Sequence, residues 1–334
     1  MKILGIGNAL VDVLIKLPDE NLLSELNIAK GSMNLIDAEK REMIFEQIKG
    51  FSVTQTTGGS VSNTTLALKQ LGEPVGFMGK AGNDTYGNFY LQEMTDLGIE
   101  LHLIRENTFS GTAIAFITPD GERTFCTYLG AAADMRKEDL RIDVFKQYTH
   151  LYVEGYLVQN HELIETALAM AKSLQMTIIL DLASFNVVAS DREFIQSLTD
   201  RYVDILFANE EEVMALTKKT PEKSIHEIAE KVPTVIMKGG AKGSWIKQKD
   251  ELIHVPVHKE IKPLDTTAAG DYYAAGYFYG MINQATPEIC AKLGSLLSYY
   301  IIQVIGTKLP EETWIEIREK AKAIMNCVAI NGVN

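Results

Sequence analysis

The sequence predicts an α/β fold: a doubly wound, mostly parallel sheet with helices on both faces, and a small β-sheet beside it. Two observations support this. From about residue 149 onward, strand-like apolar runs alternate with helical stretches, the pattern of a parallel sheet. Earlier, residues 110–129 form two alternating apolar runs around Pro119-Asp120-Gly121, a hairpin signal. Ligands of such folds collect beyond the carboxyl ends of the strands. Three predicted strand ends open there onto polar or glycine-rich stretches: NEEE from Asn209, KGGAKG from Lys238 and DTTAAGD from Asp265.

The 334 residues fit one large domain, or a large one with a small companion. A 46% hydrophobic content with 23% charged residues predicts a sizeable core. The net charge of −12 argues against nucleic acid as a partner, which would need a basic surface. Cys126, Cys290 and Cys327 show neither a disulfide framework nor metal-ligand spacing, so a reducing cytoplasm is expected. No apolar run reaches the roughly 18 residues that span a membrane. Asn8 and Asp12 interrupt the opening stretch too early for a secretory segment.

Taken in order, KILGIG at 2–7 reads as a buried strand and Val11 to Leu17 as a second. Gly5 and Gly7 invite a dinucleotide reading, but Leu10 stands where the third glycine would be. Residues 31–36 read as a short strand, after which Asp37 starts a helix to about Lys49. In GGSVSNTTLALKQLG, Gly58 and Gly59 allow close approach of backbone to a ligand. Ser62 or Asn63 is expected to cap a helix ending at Gly72. A strand from Val75 leads through a glycine loop into a helix capped near Asp84. Strands and helices then follow at HLYVEGYLV, 161–174, MTIILDLA, 191–200, DILFANEEEVMALT and TVIMKGGAKGSWI.

The stretch DTTAAGDYYAAGYFYG, 265–280, reads as a loop feeding a helix N-terminus. Such a terminus has free N–H groups and partial positive charge, which suit an anion. Backbone N–H groups of Ala268, Ala269 and Gly270 beside the Asp271 carboxylate fit phosphoryl transfer. The amides would hold developing charge while Asp271 takes a hydroxyl proton.

DTTAAGD resembles the D-T-x-G-A-G-D motif of the ribokinase (PfkB) family of carbohydrate and nucleoside kinases, departing from it at Ala268. Gly58-Gly59 is similar to that family's N-terminal substrate motif, and Asn209 with Glu212 matches its N-x-x-E motif. GAAADM at 130–135 and DLASFN at 181–186 resemble its adenosine-kinase-like branch. The resemblance spans nearly the whole chain, Asn8 through Asp271, and implies a single ribokinase-like domain over 1–334. Within it, a β lid would be formed by strands near 12–17, 31–36 and 99–129. The exposed lid edge also offers a surface for a possible homodimer.

It implies an ATP- and Mg²⁺-dependent kinase acting on a primary hydroxyl of a sugar or ribonucleoside, with Asp271 as base. Asn8, Asp12, Gly58, Gly59 and Asn63 would bind the substrate, Asp12 by accepting two adjacent hydroxyls. Asn209, Glu212, Lys238, Gly240, Gly243, Asp265 and Thr266 would serve ATP, Glu212 acting on the metal through water. Lys238 reads equally as a phosphate contact or a surface lysine, and Glu154 as structural. Alanine at 268 is expected to keep ordinary helical φ and ψ. The alternative is a binding sensor of the same fold that has lost turnover.

Overall fold

The computed structural model describes residues 1–331, with side chains through Asn326; Cys327 lies outside the described side chains. Nine strands form the main sheet. In chain order they are β1 (Ile3–Ile6), β5 (Val75–Gly82), β6 (Glu100–Glu106), β9 (His150–Glu154), β10 (Thr177–Asp181), β11 (Ile205–Asn209), β12 (Thr234–Lys238), β13 (Ser244–Gln248) and β14 (Glu251–Val255). Their spatial order is β14-β13-β12-β11-β10-β9-β1-β5-β6. All neighbours run parallel except the antiparallel pairs β12–β13 and β13–β14.

Continuous apolar runs suit central parallel strands, because helices cover both faces. Ile179, Phe207 and Ile236 pack on one side with Tyr277, Phe278 and Leu293. Ile178, Leu206 and Val235 pack on the other with Leu163, Leu168 and Leu198. Four adjacent strands, β9 to β12, end at Glu154, Asp181, Asn209 and Lys238. Parallel pairing brings those four polar ends to one rim.

A second sheet has the order β3-β8-β7-β2-β4, from β2 (Leu10–Lys16), β3 (Met33–Leu35), β4 (Val53–Gly58), β7 (Gly111–Ile117) and β8 (Arg123–Tyr128). Along β2, Val11, Val13 and Ile15 are buried while Leu10 and Asp12 are only half-buried, the two-residue period of a strand with one covered face. Residues 7–9 alone join β1 to β2, so Asn8 lies where the chain passes between sheets.

Two expectations need correction, and one strand was not expected. Residues 100–106 do not belong to the small sheet: β6 pairs in parallel with β5 from Gly76↔Glu100 to Gly82↔Glu106, at the edge of the main sheet. The small sheet's remaining strand is β4, whose polar, exposed start carries no apolar run. Ser62 and Asn63 do not cap their helix, which spans Ser60–Gln70 with Gly59 as N-cap at φ +97°. A Cβ on Gly59 would stand 2.2 Å from the Asn8 carbonyl oxygen, so the tight entry itself requires glycine. Among the described residues no helix is long and apolar enough to cross a membrane.

The helix Ala269–Ile282 packs closely on Pro287–Ile301 through its glycines. A Cβ on Gly276 would lie 2.3 Å from the Leu293 carbonyl oxygen, a backbone atom that cannot move aside cheaply. Gly276→Ala is therefore expected to cost about 1–3 kcal/mol of stability by overpacking. Urea unfolding checks this; a midpoint equal to wild type would contradict it.

Candidate active site

Asp271 is the third residue of the helix Ala269–Ile282. Its Oδ1 accepts from Ser60 Oγ at 2.7 Å and its Oδ2 from Asn63 Nδ2 at 2.8 Å. Thr64 Oγ1 donates to the Asp271 carbonyl oxygen at 3.1 Å. Positions 60, 63 and 64 share one helix face, so a single surface of the Ser60–Gln70 helix grips the carboxylate and its backbone. Burial raises the Asp271 pKa to about 6, against the bonds from Asn63 and Ser60, which lower it. Asn63, expected at the substrate, thus serves Asp271 directly.

Glu154, at the end of β9, accepts Asn8 N–H at 2.9 Å, Asn8 Nδ2 at 2.6 Å and Val61 N–H at 3.1 Å. It pins the β1–β2 connection to the start of the helix that holds Asp271, which gives its structural role a specific target. Burial pushes its pKa up to about 7 although all three donors favour the ionised form.

The anion hole differs in detail from expectation. Ala268 is the helix N-cap in the left-handed region, φ +61° and ψ 5°, not in helical φ and ψ. The loop must reverse into the helix here, and alanine adopts the conformation glycine takes freely. The Ala269 N–H is already accepted by the Thr266 carbonyl at 3.2 Å. The Gly270 and Asp271 N–H groups, in the same first turn, have no acceptor among the described residues.

One cavity of about 1770 Å³ joins the two sheets. Asn8, Leu10, Asp12, Gly59 and Asn63 line it together with Asp271 and with Asn209, Glu212, Lys238, Gly240 and Gly243. Ala268, Ala269, Gly270 and Thr266 line it as well. Burial raises the Asp12 pKa to about 7, and Thr307 Oγ1 is its hydrogen-bond partner at 3.5 Å. Gly58 is not on the wall; a Cβ there would stand 2.1 Å from Asp12 Oδ1, so it acts by leaving Asp12 room.

Asp265 is also absent from the wall. Its Oδ2 pairs with Arg123 Nη1 at 2.6 Å and accepts Gly306 N–H at 2.9 Å. Its Oδ1 accepts Thr267 N–H and Oγ1 at 3.0 and 2.7 Å. It braces the loop and ties it to β8. Asn209 and Glu212 form a capping box: Asn209 Oδ1 accepts the Glu212 N–H at 2.9 Å, and both Glu212 oxygens accept from Asn209 at 2.8 Å. Burial raises the Glu212 pKa to about 7. Among the described residues no three His, Cys, Asp or Glu side chains converge to hold a metal directly. Lys238 is not a surface lysine, since its Nζ pairs with Asp181 Oδ2 at 2.9 Å beside the cavity.

Asp181 and Ser60 lie inside the stretches DLASFN and GGSVSN, yet neither is singled out there as a site residue, and Arg123 lies in no motif. Asp181 also closes an apolar strand, like Glu154 and Asn209. Ser60 and Arg123 gain meaning only through partners 211 and 142 residues away.

A model of the pfkB family carbohydrate kinases matches residues 24–314. The adenosine kinase of Sinorhizobium meliloti is 29% identical with a TM-score of 0.84, over 96% of this chain and 98% of that one. A probable sugar kinase from Rhizobium etli CFN 42 is 28% identical with a TM-score of 0.84 and the same coverage of both chains. Adenosine kinase 2 of Arabidopsis thaliana is 23% identical over 93% of this chain and 96% of its own length.

A left-handed alanine carries about 1–2 kcal/mol of steric strain. Glycine removes it but loses about 0.5–1 kcal/mol of chain entropy on folding. Ala268→Gly is therefore expected to raise stability by about 0.5–1 kcal/mol. Equilibrium unfolding reads this; a loss of stability would show that the strain at position 268 is smaller than the entropy glycine loses on folding.

Proposed function

The chain belongs to the pfkB family of carbohydrate kinases, and we propose that it uses ATP to phosphorylate the primary hydroxyl of a furanose, free or within a ribonucleoside. The observation that carries this reading is the half-buried Asp271 carboxylate. It is fixed by Ser60 and Asn63 beside amides without acceptors, in a cavity that also holds Asp12 and Lys238.

In this reading Asp271 accepts the proton of the primary hydroxyl as it attacks. Ser60 and Asn63 hold the carboxylate in one orientation throughout. The free N–H groups of Gly270 and Asp271 face the charge that develops on the transferred group. Asp12 accepts two neighbouring hydroxyls of the sugar ring and so sets which hydroxyl meets Asp271. The five-stranded sheet, which carries Asp12, would serve as the lid.

Two free amides and an ammonium on one wall fit a polyphosphate. Magnesium prefers oxygen ligands and keeps several of its waters. Asn209 and Glu212 would act on it through water, and Gly240, Gly243 and Thr266 would border the nucleotide. Bound ATP with Mg²⁺ supplies an activated phosphoryl group with its charge partly neutralised.

A coupled ADP-release assay over sugars and nucleosides tests the activity. Asp271→Asn keeps the size of the side chain and is expected to lower kcat about 10²–10⁴-fold. A mutant with more than half the wild-type kcat would remove Asp271 as base.

The base must be ionised, so kcat/KM should rise with pH through about 6 and level off above it. A profile flat from pH 5 to 8 would contradict this. Substrates without the vicinal diol leave Asp12 without partners, an expected loss of about 1–3 kcal/mol, or roughly 5- to 150-fold in kcat/KM. Equal use of 2-deoxy analogues would exclude that role.

A further inference from the structure

We propose that Asp181 is a positioning residue: it holds the Lys238 ammonium against the N-terminus of the Ala269–Ile282 helix, where Lys238 meets the transferred phosphoryl group. This rests on the kinase reading above.

Asp181 ends β10 and Lys238 ends β12, with β11 between them. Lys238 is in register with Asn209, the last residue of β11, while Asp181 is in register with Phe207, two residues back. The lysine side chain therefore crosses over β11 to reach its partner, and its Nζ lies 2.9 and 3.3 Å from the two Asp181 oxygens. It also lies 6.0 Å from the Phe207 ring centroid. Asp181 is fixed in turn by its own loop, since Oδ1 accepts the Ala183 N–H at 3.2 Å and the side chain is only 4% exposed.

The other side of the ammonium faces the helix start. A Cβ built on Gly270 would be 3.2 Å from Lys238 Nζ, so the charge rests against the bare face of that glycine. Gly270 also carries one of the N–H groups without an acceptor. Amide and ammonium thus flank the same volume of the cavity. An ammonium has three donors, and pairing with one carboxylate leaves donors for an anion. Removing two charges from water costs more than a buried pair commonly returns, so stability alone is a weak reason for this pair. A lysine chain is flexible, and a pre-placed ammonium needs no reorganisation when charge develops.

The pair also marks Asp271 electrically. Charged groups around that carboxylate come from four strands, Asp181 on β10, Lys238 on β12, Glu154 on β9 and Asp12 on β2, with Glu212 beside Lys238, while the Ser60–Gln70 helix meets it with neutral groups alone. Asp181 raises the Asp271 pKa and Lys238 lowers it.

Asp181→Asn, Lys238→Met and the double variant test the proposal in the full chain. Lys238→Met is expected to lower kcat about 10²-fold, the range for loss of one preorganised donor. Asp181→Asn should lower kcat about tenfold with the acceptor KM unchanged, and the double variant should lose no more than Lys238→Met. The acidic limb of the pH profile should move to lower pH in Asp181→Asn and to higher pH in Lys238→Met. A mere packing role for Asp181 would add its loss to that of Lys238→Met in the double variant.

Asp181→Asn within twofold of wild-type kcat, or losses that multiply in the double variant, overturns the proposal. Should Asp181→Asn not fold, unchanged kcat in Lys238→Met overturns it equally. If the wild-type chain phosphorylates no sugar or nucleoside, the kinase reading fails separately. Titration of a non-hydrolysable ATP analogue by calorimetry then decides: several-fold weaker binding in both single variants supports the pair, and unchanged affinity overturns it.

Discussion

The hydrogen bonds from Ser60 and Asn63 to Asp271 join parts of the chain more than 200 residues apart, and the cavity is arranged around them. A carboxylate at a helix start could turn toward the backbone N–H groups beside it and cap its own helix. Two donors from a second helix hold it instead in the cavity. That orientation depends on where the Ser60–Gln70 helix begins, which Gly59 and the Glu154 contact to Val61 N–H together fix. Glu154 reaches Asn8 as well, so the crossing between the two sheets is set by the same side chain.

The main sheet contributes order more than chemistry. Because β9 to β12 run parallel and adjacent, their last residues meet at one rim without a long loop to bring them there. The small sheet supplies the opposite wall, and Arg123 on β8 links it to the loop before Asp271 through Asp265. Local rules explain each strand end, while only the sheet order explains why a lysine on β12 finds an aspartate on β10.

Much of this was legible in the sequence. Apolar strand runs, the turn at Pro119-Asp120-Gly121 and the small residues before Asp271 mark elements through local chemistry. Asp37 and Asp84 cap the helices they were expected to start, since an N-cap needs only a partner three residues on. What could not be read depends on distance or on backbone angle. Nothing near Asp265 announces Arg123, whereas Asn209 and Glu212 carry the spacing of a capping box that their own sequence shows. The polar start of β4 hides an edge strand because an edge with one exposed face needs no apolar alternation. The left-handed angle at Ala268 defied the expectation from its neighbours, for a Cβ at Ala269 says nothing about φ one residue earlier.

The crowd of carboxyl groups around the cavity has a further consequence. Asp12, Glu154 and Glu212 are raised to about 7 and Asp271 to about 6, all by burial first of all. Between their ordinary values near 4 and those raised values, the folded chain holds more protons than the unfolded one. Their contribution to stability is therefore complete at low pH and declines as pH climbs through 6 to 7. An arriving cation or hydroxyl-rich ligand favours the ionised forms and must expel some of those protons into the buffer. The heat of filling this cavity near neutral pH thus includes the buffer's own enthalpy of protonation. Phosphate and Tris solutions would report different enthalpies for the same binding event.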